Sequence, residues 1–178
     1  MKRLAALALC CGCGRVDFDL LADATRRDAV VDARKYFVDG GECPPGYSFV
    51  GTGCYRNVLN VDELAWLDAE AACEADVAGA HLVVIDDSAE AVVVDSMVPG
   101  SILDHWIGAS DRRNEGVFLT VHNQPLGFAT FDVGEPGGGM SENCLLFNDN
   151  QTLHDGDCAL LDDYVCEYDG IPADRAAW

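Results

Sequence analysis

The residues of this chain best placed to do chemistry are its nine cysteines, and they fall into two groups. Cys10, Cys11 and Cys13 crowd the first 15 residues, while Cys43, Cys54, Cys73, Cys144, Cys158 and Cys166 are spread through the body. Thiols can ligate zinc, attack as nucleophiles or oxidise to disulfides. Cysteine-built zinc sites want close pairs, yet the six body cysteines contain no Cys-x-x-Cys, and the chain has no HExxH motif. Clustered zinc on cysteine is therefore set aside. Serine nucleophile elbows, Cys–His pairs and phosphate-cradling loops are missing too, and the run Gly137-Gly138-Gly139 lies outside any strand-to-helix context. A binding protein, not an enzyme, is expected. The six body cysteines read as a disulfide framework, for which the sequence by itself leaves 15 connectivities open.

Disulfides need an oxidising compartment, and the N-terminus supplies a reason for export. Met1-Lys2-Arg3 followed by Leu4 to Leu9 is a basic region and a short apolar one, too short to span a bilayer. Leu9-Cys10-Cys11-Gly12-Cys13 resembles a bacterial lipoprotein processing site, with Cys13 the first candidate for acylation and Cys10 the second. A simple cleaved signal is the alternative. Residues 1–13 are thus a leader, and 14–42, rich in Asp, Ala and Arg, a linker. The expected location is a bacterial cell surface, outer membrane or periplasm, otherwise secretion. Membrane contact is expected only through the lipid.

Charge is concentrated in the body. Between Cys43 and Gly170 only Arg56, Arg112 and Arg113 are basic, against 23 acidic residues, so this stretch carries the whole net charge of −20. Nucleic acid, anionic headgroups and sulfated glycans are poor partners for such a surface. Divalent cations and neutral ligands suit it, although acidity that serves only solubility reads the same way. Nothing in the composition sets an oligomeric state.

The elements that must position any site are short. Asn60-Val61-Asp62-Glu63 is a capping-box pattern, and behind it Trp66, Ala69, Cys73 and Val77 recur at helical spacing, so Cys73 should face a core. His81 to Ile85 is an apolar strand. Asp87-Ser88-Ala89-Glu90 repeats the capping pattern ahead of a second helix stopped by Pro99-Gly100. Short strands follow at Trp106-Ile107, Val117 to Leu119, Leu145 to Phe147 and Tyr164 to Cys166. A long loop from about Gln124 to Asn143 separates the middle two, a length that often marks a binding loop. Two helices first and strands afterwards predict an α+β fold.

In this order the motifs resemble the C-type lectin family, over roughly residues 43–169. Cys43-Pro44-Pro45-Gly46-Tyr47 with Cys54-Tyr55 is similar to the N-terminal hairpin of the family's long form. Trp66 with Ala71, Ala72 and Cys73 is similar to its first helix, and Trp106-Ile107-Gly108 to its Trp-Ile-Gly motif. Glu115-Gly116, Gly134-Glu135-Pro136, Glu142-Asn143-Cys144 and the frame Cys144, Cys158, Tyr164, Cys166 follow in turn. The resemblance implies a lectin-like fold with two helices, short antiparallel strands, a long ligand-binding loop and a domain over 43–170, with 171–178 as a C-terminal tail. It also implies the pairs Cys43–Cys54, Cys73–Cys166 and Cys144–Cys158, each worth about 2–4 kcal/mol.

The resemblance further implies a calcium site that also ligates a sugar or another ligand. Glu135, Glu142 and Asp155 stand where three carboxylate ligands belong, and Pro136 where the family has a cis-proline. Ligand contacts would come from Glu135, Pro136, Glu142, Asn143, His154 and Asp155. Asp111 and Glu115 match the spacing of an auxiliary calcium site; a charged turn tied to Arg112 or Arg113 is the alternative. Two positions depart from the pattern. Gly137 and His154 replace asparagines whose amides would serve calcium and sugar together, so neutral-glycan recognition competes with a protein-binding or adhesive role on an eroded site.

Overall fold

A computed structural model describes residues 42–178, apart from 52, 60, 61 and 99–103. The expected leader with Cys13 and Cys10, the linker 14–42 except Glu42, and Pro99-Gly100 lie outside the described residues. Strands β1 (Ser48–Val50) and β2 (Gly53–Val58) form a hairpin, and the Cys43–Cys54 disulfide ties the preceding segment to it.

Helix α1 (Trp66–Asp76) is alanine-rich, which favours helix at no side-chain entropy cost, and buries Trp66, Ala69, Glu70 and Cys73. It begins five residues later than the capping pattern at Asn60 predicts. The reason is tertiary: Leu64 pairs with Asp162 through two backbone hydrogen bonds of 3.0 and 3.2 Å, which holds that stretch extended. Ala65 is the residue before the helix and offers no side-chain cap. Strand β3 (Ala80–Leu82) follows, fully buried and shorter than the expected run to Ile85, and backbone bonds join Val83 to Val165 and Gly108. Helix α2 (Ser88–Met97) is capped as expected, Asp87 accepting from the amides of Ala89 and Glu90. Its Glu90 reaches back to the Asp86 amide at 2.8 Å and accepts from the Tyr55 hydroxyl at 2.6 Å.

The remaining strands are β4 (His105–Ser110), β5 (Leu119–Thr120), β6 (Cys144–Phe147), β7 (Leu153–Gly156) and β8 (Asp163–Tyr168). One sheet runs β1-β2-β8-β4-β6-β7, with β3 on β8 and β5 on β4. The pairing is antiparallel except between β4 and β8, where His105 and Trp106 lie parallel to Asp163 and Tyr164, so the sheet is mixed. The strand expected at 117–119 shrinks to Leu119–Thr120, because Asp111 to Val117 is spent on successive turns. Strand β7 has no counterpart in the sequence expectation.

Two apolar clusters fill the α+β frame. One gathers Trp66, Trp106, Leu82, Val121 and the Cys73–Cys166 bridge; the other gathers Ile107, Phe147, Leu153 and Val165 under Ala91 and Val94 of α2. Both indoles are fully buried and satisfied: Trp66 Nε1 donates to the Ile107 carbonyl and Trp106 Nε1 to that of Leu64. Gly108 explains itself, since a Cβ there would sit 2.5 Å from the Leu82 carbonyl oxygen. The eight residues set apart as a tail pack on the domain. Ala177 is buried, Trp178 meets Trp66 edge-on at 5.4 Å, and the Asp174 amide donates to Val121. Among the described residues no helix is long and apolar enough to cross a membrane.

Candidate functional site

Strands β6 and β7 are the floor of the site. They pair with Leu145 opposite Asp155, and the Cys144–Cys158 disulfide closes the pair. The loop of residues 124–143 is laid against β7 by two backbone bonds, Leu153 to Thr130 and Asp132 to Leu153. It then turns through the cis bond Glu135-Pro136 and a short 3-10 turn, Gly139–Ser141. Asn143 anchors its end: its amide donates to Gly156, and its carbonyl accepts from the Asp111 amide, both at 3.0 Å. This last bond joins the 111–115 turn to the loop.

Four of the five expected metal-binding carboxylates meet electrostatically around Asp155. The Gly137 amide donates to Asp155 Oδ1 at 2.7 Å, which folds the loop over that carboxylate. Hydrogen bonding with Asp155 holds the Glu135 carboxyl above its ordinary range, with burial and the Asp155 charge adding. Burial raises Asp111, and Asp155 contributes again. Glu115 is raised by desolvation, then by Asp111 and Asp155. Glu142 lies at the end of the same loop. Its amide donates to Gly139, and its carboxylate lies where a side chain on Gly138 would be. Gly138 adopts the left-handed conformation, φ 56°, which favours glycine there.

Two oxygens of this group are buried without a hydrogen-bond partner, Asp111 Oδ1 and Glu135 Oε2. Native proteins rarely leave such atoms unmatched. Mutually repelling carboxylates with orphaned oxygens form a donor set suited to a hard divalent cation, which takes six to eight oxygen ligands. The carboxylates are splayed, however. Among the described residues, the group whose ligand atoms all lie within 4.8 Å of one another is His81, His122 and Asp169, elsewhere in the fold. An open cleft of about 400 Å³ between Arg112, Asn114, Glu115, Met140 and Asn143 leads to the site.

Three expected contacts are placed differently from what the sequence suggests. His154 alternates with Asp155 along β7, and its Nε2 lies 3.5 Å from Asp104 Oδ2, although it still acts electrostatically on Glu135. The Asn143 amide group is used internally, donating to the Met140 carbonyl. Arg113 does not tie the acidic turn but donates to the Ala176 carbonyl. Sequence reasoning did not flag His81, His122 and Asp169, which no fixed spacing connects.

The family described as the Lectin C-type domain matches residues 62–168. C-type lectin domain family 3 member A of Mus musculus is 37% identical over 73 residues, covering 40% of this chain and 37% of that protein. The low affinity immunoglobulin epsilon Fc receptor of Mus musculus is 30% identical over 127 residues, covering 70% of this chain and 37% of the receptor. The chain thus spans well under half the length of either relative. Among solved structures, the cow C-type carbohydrate-recognition domain of CD23, determined in the presence of a GlcNAc2Man3 oligosaccharide, superposes with a TM-score of 0.62 at 28% identity. That alignment covers 71% of this chain and 95% of that domain.

Proposed function

The chain belongs to the C-type lectin domain family, and from that premise we propose that it is an extracellular binding module whose long loop holds calcium and takes a neutral glycan there. The observation that carries this reading is the pair of orphaned buried oxygens, Asp111 Oδ1 and Glu135 Oε2, beside Asp155. Glu135, Glu142 and Asp155, with Asp111 and Glu115 behind them, would supply the carboxylate ligands. Calcium would neutralise their mutual repulsion and offer coordination places to sugar hydroxyls. Extracellular modules of this kind bind calcium at about 10⁻⁴–10⁻³ M. Three disulfides support an oxidising location. A leader ending in a lipidated Cys13 would give the module its membrane anchor.

Calorimetric calcium titration of the full chain, followed by a glycan array with and without chelator, tests the reading. One calcium-dependent class of neutral glycans is expected, lost in Glu142→Gln and Asp155→Asn. Glycan binding that ignores chelator sinks it.

A protein ligand on the same scaffold is the second reading, and specific residues favour it. Gly137 has no side-chain amide to offer, His154 pairs with Asp104, and Val133 and Met140 stand 98% and 86% exposed on the loop. Retention of a partner that is indifferent to sugar and chelator but abolished by Val133→Asp would decide for it.

A further inference from the structure

We propose that His81, His122 and Asp169 form a second, separate site for a divalent transition-metal ion of the zinc type. Three distant segments assemble it. His81 sits in β3 opposite Glu167 of β8, Asp169 follows the end of β8, and His122 lies in the turn after β5. The His81 and Asp169 side chains are 0% and 2% exposed, and that of His122 18%. His81 Nε2 lies 3.3 Å from Asp169 Oδ1 and His122 Nε2 3.9 Å from Asp169 Oδ2, with the two rings edge-on at 4.4 Å. Ligands held at about 2.0–2.1 Å around a tetrahedral ion are separated by about 3.3 Å, so only small shifts separate this arrangement from a ligand set.

An ordinary His–Asp ion pair accounts for His81 and Asp169 Oδ1 alone. It leaves His122 Nε2 and Asp169 Oδ2 buried with no hydrogen-bond partner, 3.9 Å apart. A cation between them satisfies both. The supporting bonds are those a metal site needs. His81 Nδ1 lies 2.8 Å from the Leu82 carbonyl oxygen and donates its proton there, so Nε2 is the ring nitrogen that faces Asp169. Asp169 Oδ1 accepts from the Ile171 amide at 2.6 Å, which fixes the carboxylate. Glu167 and Glu70 add negative charge around His81. Two imidazoles and one carboxylate suit zinc and its neighbours in the first transition row, whereas calcium wants oxygen alone. His122 also lines a cavity of about 240 Å³ with Thr120, Pro125, Leu126 and Ile171, so open space adjoins one of the three side chains.

The test uses the full chain with Cys10, Cys11 and Cys13 alkylated under non-reducing conditions, so that thiols cannot compete. Zinc titration should show one ion per chain at micromolar concentration, retained in millimolar calcium. Cobalt(II) in its place should give the visible absorption of a four-coordinate nitrogen-containing site. His122→Ala, the most exposed of the three, should weaken zinc at least tenfold, while Glu142→Gln leaves it unchanged. Failure to bind zinc at micromolar concentration, zinc binding equal in His122→Ala, or zinc lost in Glu142→Gln would each overturn the proposal.

Discussion

Around Trp66 and Trp106 both indoles are buried and both N–H groups reach a carbonyl, whereas beside the loop Asp111 Oδ1 and Glu135 Oε2 are buried and reach nothing. The frame has orphaned atoms too, Glu70 Oε1 and both ring nitrogens of His105, but they sit on elements held by apolar burial and disulfides. The loop is held mainly by single backbone bonds and by Gly137 on Asp155, and its carboxylates repel one another. The contrast teaches that stability here is divided: the sheet draws on apolar burial and cross-links, while the loop depends on what the solution supplies.

The largest expected effect falls on the frame. Replacing Cys73 and Cys166 together by Ala removes a bridge across 93 residues and should cost about 4 kcal/mol in denaturant unfolding. A loss below about 1 kcal/mol would show that the frame does not lean on its cross-link. Next comes the loop. Calcium at about a hundred times its dissociation constant should stabilise the chain by about 2.7 kcal/mol. In Glu135→Gln the gain should vanish while the calcium-free protein melts slightly higher, since one repelling charge is gone. If calcium raised the midpoint of that variant as much as wild type, the loop would not be the part that depends on cations.

Trp178→Ala sharpens the boundary of the frame. Its edge-on contact with Trp66 predicts a loss of about 1–2 kcal/mol with calcium binding unaltered. The smallest effect is a pH dependence at Asp162, whose carboxyl is pushed up to about 6 by burial, with Asp104 and Asp163 adding. Folding therefore favours its protonated form. That contribution is full below the unfolded value near 3.8 and is lost as pH rises through about 6. Asp162→Asn should melt higher than wild type above pH 6, by less than about 1 kcal/mol because the group is half exposed, and match it below pH 4.

Features whose cause is local or strongly typed were legible beforehand. Asp87 and Glu90 cap α2 because their partners lie within four residues, and Trp106-Ile107-Gly108 is marked by a glycine that only a carbonyl at close range explains. Where the cause is distant the sequence misleads. The capping pattern at Asn60 is overruled by Asp162, a hundred residues on, and Leu153-His154-Asp155-Gly156 becomes a strand only because β6 is there to pair with it. At the loop, residue types pointed to the acidic group, but the strand's alternation sent His154 to Asp104. His81, His122 and Asp169 share no spacing at all, because three separate segments carry them.

The pairing of β2 with β8 sets Cys54 beside Tyr168 and Val58 beside Tyr164. A chain emerging from the ribosome or a translocon in N-to-C order therefore cannot complete its sheet until β8 is delivered. The Cys43–Cys54 hairpin and the Cys144–Cys158 pair can close early, but Cys73 must wait for Cys166. Such non-local pairing folds slowly and leaves β2 an unpaired edge meanwhile. Yield in the cell should thus follow the supply of chaperone and disulfide isomerase more closely than it follows the stability of the finished domain.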